Sequence, residues 1–138
     1  MEIRRGRAQD IPFVCELEKR VFSDPWREEA IASHIESTYL CLLVAEEKGE
    51  PLGYLLGSSI PPEGEILRVA TLPERRRQGA GEALCRHFLT FGDVAFLEVR
   101  KGNIAARALY EKLGFSLFGE RKNYYKNPTE DACLYRRS

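Results

Sequence analysis

The order in which strand and helix signals follow one another limits this chain more than any single motif does. The short stretch 2–8 and the runs at 39–47, 52–60, 65–71, 94–99, 115–124 and 130–136 read as seven strands. Four helical patterns interrupt them. The first follows Asp10, with Ile11, Val14, Leu17 and Val21 spaced three or four apart. The second is predicted to start at Asp24-Pro25, as N-cap and first residue, and to run to Ser37. The third carries Ala83, Leu84, His87, Phe88 and Phe91, and the fourth spans Asn103 to Leu113 with Gly114 as its stop. Strand, two helices, three strands, helix, strand, helix and two strands predict an α/β (α+β) chain. Its single mixed sheet is largely antiparallel at first, with crossovers on both faces. A length of 138 residues suits one core, so residues 1–138 are read as one domain.

Charge and cysteine usage narrow the function classes. Lys plus Arg and Asp plus Glu both number 21. No global basic field attracts nucleic acid, and none is expected as a direct partner. Cys15, Cys41, Cys85 and Cys133 are widely spaced in apolar contexts, with no C-x-x-C pair and no cysteine–histidine cluster. That pattern indicates reduced structural thiols and neither a metal site nor a disulfide framework. No run reaches membrane-spanning length and no signal-peptide core opens the chain, so a cytoplasmic protein without a membrane partner is expected.

Two stretches carry chemistry. In "VAFLEVRKGN" (94–103) a carboxylate interrupts a buried strand. Strand side chains alternate, so Glu98 shares a face with Phe96 while Ala95, Leu97 and Val99 point the other way. Glu98 is then either a solvent-facing strand residue or a general base in a cleft. In "RRQGAG" (76–81) glycines lie between a strand and a helix, beside Arg75, Arg76 and Arg77. Free N–H groups at such a helix start suit a phosphate or pyrophosphate, whereas a plain flexible turn with solvated arginines is the other reading. No Gly-Lys-Ser/Thr follows, so this is not the longer phosphate-loop motif.

"RRRQGAGEAL" resembles the acetyl-CoA pyrophosphate loop of the GCN5-related N-acetyltransferase (GNAT) superfamily, and "NIAARALYEKLGF" (103–115) resembles its later helix motif. "FSDPW", "FLEVRKGNIAARALYEKLGF" and "RKNYY" before Asp131-Ala132 are similar to one branch, the bacterial ribosomal-protein alanine N-acetyltransferases. The resemblance implies a GNAT-type mixed sheet of seven strands with four helices, its fourth and fifth strands (65–71 and 94–99) splayed to admit the pantetheine arm of acetyl-CoA. It implies that Val69, Ala70 and Thr71 pair with the pantetheine amides. It also implies that the backbone of Arg77, Gln78, Gly79, Ala80, Gly81 and Glu82 holds the pyrophosphate, and that Asn103 contacts the coenzyme. Asn103 also suits the N-cap of the helix that follows it.

Acetyl transfer needs an unprotonated amine, a polarised thioester carbonyl and a protonated leaving thiolate. Glu98 fits the base, and Tyr110, a phenol that stays protonated near neutral pH, fits the acid. The Val69 N–H is the candidate oxyanion donor. The resemblance implies the same roles for this Glu and Tyr. No metal ion is expected, because a metal site would need more ligands than the two histidines, His34 and His87, supply. Taken alone, Tyr110 on a helix also reads as a core residue with a wet tip. Cysteine-based covalent catalysis is the competing mechanism, but no cysteine has a base partner nearby in sequence.

The acceptor cleft implied by the resemblance lies between the first two helices and the final hairpin, with Phe22, Trp26, Arg68, Tyr124 and Tyr125 along it. Trp26, the single tryptophan, suits either pinning of the second helix or contact with the acceptor. The implied acceptor is the N-terminal alanine of a small-subunit ribosomal protein; a small amine, a lysine side chain, or a coenzyme-binding module with little turnover are the alternatives. Three departures from the branch pattern bear on the acceptor. Arg68 occupies a position where the branch often has Asn, and its charge predicts a preference for acidic acceptors. Leu72-Pro73 replaces the usual Asp-Pro, and "TFGDVAF" shortens the end of the third helix.

Overall fold

Backbone pairing in the computed structural model, which describes residues 1–138, joins seven strands into one sheet. They are β1 (Glu2–Arg5), β2 (Leu40–Glu47), β3 (Glu50–Ile60), β4 (Glu63–Thr71), β5 (Val94–Arg100), β6 (Ser116–Tyr125) and β7 (Glu130–Arg137). The helices are α1 (Ile11–Val21), α2 (Glu28–Glu36), α3 (Ala80–Phe88) and α4 (Ile104–Lys112). Strand order is β1-β2-β3-β4-β5-β7-β6. Every pairing is antiparallel except β4–β5, because α3 carries the chain across the sheet before β5 begins.

Both faces of the sheet are covered, so its central strands are apolar on both sides. On one face α3 and α4 pack Leu84, Phe88, Tyr110 and Leu113 against Leu43, Leu55, Ile66, Leu97 and Val99. On the other, α1 and α2 pack Val14, Leu17 and Ile31 against Leu42, Val44, Tyr54, Leu56 and Ala70. Alternation along β2 divides its residues between these layers, as the period of two requires.

The element order and the alternation in β5 agree with the sequence reading, and four local features differ. β1 ends at Arg5 because the Asp10 carboxylate accepts hydrogen bonds from the Arg7 N–H at 2.7 Å and from Arg4 at 2.8 and 2.9 Å, turning the chain away. Asp10 therefore precedes α1 without a side-chain cap on it. α2 starts at Glu28, not at Asp24-Pro25. Side chains satisfy the loop there: Trp26 N–H donates to Glu18 and the Asp24 carbonyl accepts from Arg68, at 2.8 Å each. The β2–β3 turn is tighter than the sequence suggested, with Lys48 and Gly49 both at positive φ (53° and 82°), the backbone of a type I′ hairpin. α3 ends at Phe88 and passes into a 3₁₀ turn at Leu89–Phe91.

One irregularity positions everything functional. β4 pairs with β5 only from Glu63 to Ile66, opposite Val94 to Leu97. Against β3, Leu56 pairs with Arg68 but Gly57 pairs with Ile66, so Leu67 is an extra residue. This bulge bends the strand and reverses its facing. Ile66 lies in the α3/α4 layer, and Ala70 in the α1/α2 layer. Past the bulge β4 keeps β3 as partner while Glu98–Arg100 keep β7, and the two strands separate.

The close approach of β3 to this end of β4 gives a test. A Cβ on Gly53 would stand 2.5 Å from the Ala70 carbonyl oxygen and 3.2 Å from Thr71 Cα, both backbone atoms that cannot rotate away. Gly53→Ala should destabilise the fold by about 1–3 kcal/mol, read as a lower urea midpoint at unchanged m-value.

Candidate active site

The parted strands make an opening through the sheet, and residues from both faces reach it. At the α3 end, Gly79 occupies the N-cap in the left-handed region (φ 87°), and Arg77 also has positive φ (65°). No side chain caps α3, so its first N–H groups are free to meet a ligand. Arg75 is committed: it donates to Gln78 and Glu47 at 3.0 Å each. Arg76 and Arg77 are exposed at the surface. Glu82 would place negative charge at this anion-facing end, but Lys112 at 2.7 Å and Arg86 at 2.9 Å neutralise it. Those hydrogen bonds, Lys112 first, hold its carboxyl below the usual range.

Gly81 is informative because the fold does not demand it. A Cβ there would find nothing closer than Leu109 at 3.8 Å and Thr71 at 3.9 Å, and its φ is not positive. These neighbours show that the end of β4, the start of α3 and α4 converge at this point. The missing side chain leaves room for something outside the protein to approach the helix start.

On the α3/α4 face, Tyr110 is buried with its ring edge-on to Phe115, centroids 5.9 Å apart. Burial, then Cys85 and Tyr125, pushes its phenol well above the ordinary value, so it stays protonated at neutral pH. Its hydroxyl has no protein partner, yet Nε2 of His34 is the only sealed side-chain polar atom without one, so the Tyr110 hydroxyl retains access to open space. Asn103 caps α4, its side-chain oxygen accepting from Ala106 N–H at 3.2 Å.

Glu98 lies on the opposite face. With Glu65, Phe96, Leu97, Phe118, Arg121 and Leu134 it lines an open cavity of about 240 Å³. Its side chain is 25% exposed, and Arg121 Nε stands 3.7 Å from it. Tyr124 and Tyr125 sit edge-to-face with centroids 5.1 Å apart. Glu98 holds the Tyr124 phenol above its usual value by hydrogen bonding and charge. Burial first, then Glu98, pushes Tyr125 up to about 12. Glu65 is raised by burial and then by Glu98, the second carboxylate of the same cavity. Glu98 and Tyr110 thus belong to opposite faces of the sheet, on either side of the opening.

Arg68 is placed differently from the sequence expectation of a free positive charge. Its guanidinium donates to Glu18 at 3.1–3.3 Å and to the Asp24 carbonyl at 2.8 Å, and lies 3.7 Å above the Phe22 ring. The structure brings Phe22, Trp26 and Arg68 together, and on the other side Tyr124 and Tyr125. Trp26 also packs on His34 at 5.5 Å, so it does pin α2. Sequence reasoning missed Glu18, Glu65, Phe118 and Arg121. Glu18 had left a signal: it occupies the apolar stripe of α1 between Leu17 and Val21. Burial raises the thiols of Cys15, Cys41 and Cys85, the last to about 12, which leaves them poor nucleophiles.

The family described as the acetyltransferase (GNAT) family matches residues 11–115. The [ribosomal protein bS18]-alanine N-acetyltransferase of Escherichia coli K12 is 34% identical over 127 residues, covering 88% of this chain and 84% of that protein. N-alpha-acetyltransferase RimI of Mycobacterium tuberculosis is 36% identical over 131 residues, covering 89% and 83%. The crystal structure of the ribosomal-protein-S18-alanine N-acetyltransferase from Escherichia coli superposes with a TM-score of 0.90 at 29% identity, over 99% of this chain and 92% of that one.

Gly81→Ala separates packing from ligand approach. Folding stability should stay equal or rise by up to about 1 kcal/mol, because alanine is the better helix former. Acetyl-CoA affinity should fall, read as a smaller thermal shift at equal coenzyme concentration.

Proposed function

This chain belongs to the GNAT acetyltransferase family and is an acetyl-CoA-dependent N-acetyltransferase; we propose that its acceptor is the N-terminal alanine of ribosomal protein bS18, in the cytoplasm. The observation that carries this reading is the opening between β4 and β5, with a carboxylate-lined cavity on one face and a protonated phenol on the other. The Escherichia coli relative named for this reaction aligns with 88% of this chain, and the relative named as an N-alpha-acetyltransferase with 89%.

Acetyl-CoA supplies the acetyl group as an activated thioester. Val69, Ala70 and Thr71, on the part of β4 without a β5 partner, offer backbone groups to the pantetheine arm. The N–H groups of Arg77, Gln78, Gly79, Ala80, Gly81 and Glu82 face the pyrophosphate, and the empty volume at Gly81 fits that approach. Asn103, while capping α4, stands beside the coenzyme. The Val69 N–H polarises the thioester carbonyl.

The acceptor enters from the α1/α2 face, between Phe22, Trp26 and Arg68 on one side and Tyr124 and Tyr125 on the other. An α-amino group has a pKa of roughly 8, so most of it arrives as ammonium near neutrality. Glu65 and Glu98 give the cavity two carboxylates against one arginine, which favours that cation. Glu98 accepts a proton from the amine, directly or through one water. Tyr110, on the far face, donates its proton to the departing thiolate. This acid–base scheme uses groups of the chain and no metal ion.

Purified protein given acetyl-CoA with an alanine-first peptide, a lysine-containing blocked peptide and a polyamine should acetylate the first; preference for either other acceptor would overturn the assignment. Glu98→Gln should lower kcat at pH 7 by about 100-fold or more with acetyl-CoA affinity unchanged. That deficit should shrink as pH rises and the acceptor amine becomes neutral unaided. Tyr110→Phe should reduce kcat with little change in melting temperature, whereas wild-type turnover would leave its role structural.

A further inference from the structure

The α1–α2 loop, residues 22–27, forms one wall of the acceptor cleft, yet it has no regular secondary structure of its own. What holds it is a charge cluster anchored on the splayed strand. Glu18 of α1 is fully buried. Its carboxylate accepts from the Trp26 N–H at 2.8 Å and from the Tyr54 hydroxyl, and it faces the Arg68 guanidinium through three contacts of 3.1–3.3 Å. Arg68 in turn donates to the Asp24 carbonyl at 2.8 Å and reaches the Asp24 carboxylate at 3.4 Å. Its flat face covers the Phe22 ring at 3.7 Å, and its charge lies 5.5 Å from the Trp26 ring. Three of the loop's six residues, Phe22, Asp24 and Trp26, are therefore in contact with Arg68, with Glu18, or with both.

A carboxylate with no exposure is stable only when paired and hydrogen-bonded. Arg68 supplies that pairing from β4, one residue past the bulge that parts the strands. Its side chain is itself only 12% exposed, so little of its charge is left for a passing peptide. A planar guanidinium is needed here, because one group must meet a carboxylate edge-on, a carbonyl end-on and an aromatic ring face-on.

We propose that Arg68 is a positioning residue that, through Glu18, fixes the 22–27 loop over the opening, and so sets acceptor affinity by geometry and not by attracting acidic peptides. The inference rests on the acceptor cleft assigned above. It replaces the charge-selection role expected from the sequence, and it links the wall of the cleft to the same strand that carries the oxyanion donor.

Trp26 is the only tryptophan, so its fluorescence reports the loop independently of turnover. In Arg68→Met, acrylamide quenching of Trp26 should rise by about twofold as the loop loosens. The KM for an alanine-first peptide should rise by about tenfold, equally for peptides whose following residues are acidic, neutral or basic. The KM for acetyl-CoA should stay within about twofold of wild type. Arg68→Lys, which keeps charge but not the planar fork, should fall between the two. Should Arg68→Met fail to fold because Glu18 is left buried and unpaired, the double variant Arg68→Met/Glu18→Gln removes both charges and is read in the same way.

Unchanged quenching with unchanged peptide KM would overturn the proposal. So would a loss confined to acidic peptides, which would make Arg68 a direct recognition charge. If wild-type protein acetylates no N-terminal peptide, the acceptor assignment falls, and Trp26 quenching alone still decides whether Arg68 holds the loop.

Discussion

The structure depends on a pairing that stops. β4 and β5 share a ladder over four residues and then part, although both strands continue. An unpaired strand edge inside a covered sheet leaves backbone donors and acceptors in need of partners. The bulge at Leu67 makes the separation a property of the fold, because it turns the strand and exchanges the layers its side chains enter. A ligand that carries amide groups along an extended arm is the natural complement to such an edge. The proposed reaction would then pass the coenzyme arm through the sheet, between Tyr110 on one face and Glu98 on the other.

The surroundings of that opening divide their charges between structure and chemistry. Each of the two parted strands carries an arginine that braces a wall of the cleft. Arg68 on β4 holds the 22–27 loop. Arg100 on β5 donates to the carbonyls of Lys126 and Pro128 at 2.9 Å each, pairs with Glu130, and stacks over Tyr125 at 4.5 Å. At the coenzyme end, Arg75 and Glu82 are likewise tied to neighbours. What is left unpaired or loosely paired is a short set: Glu65 and Glu98 in the acceptor cavity, and Arg76 and Arg77 beside the start of α3. Those are the charges that an ammonium and a pyrophosphate would meet.

The sequence carried the element order, the alternation in β5, the Asn103 cap and the Gly114 stop, because each is written in local spacing or in one residue's backbone preference. It could not carry the ends of β1 and α2. Those are decided by Asp10 reaching back to Arg4 and Arg7, and by Glu18 and Arg68, fifty residues apart, satisfying a loop that local rules would have made helical. The same distance hid the role of Arg68: its position on β4 was plain, but its charge was assigned to selecting acidic acceptors because the buried partner lies on α1. Glu65 and Arg121 were missed for a related reason. A cavity wall drawn from β4, β5 and β6 has no signature in any one of them.

Amide hydrogen exchange with and without acetyl-CoA tests the central arrangement most directly, since it reads the strand edge itself. Slower exchange at Val69–Thr71 and at Arg77–Glu82, with β1 and β2 unchanged, is the result expected if the coenzyme completes the open edge of β4. Coenzyme binding that leaves exchange at Val69–Thr71 as it was would contradict the account.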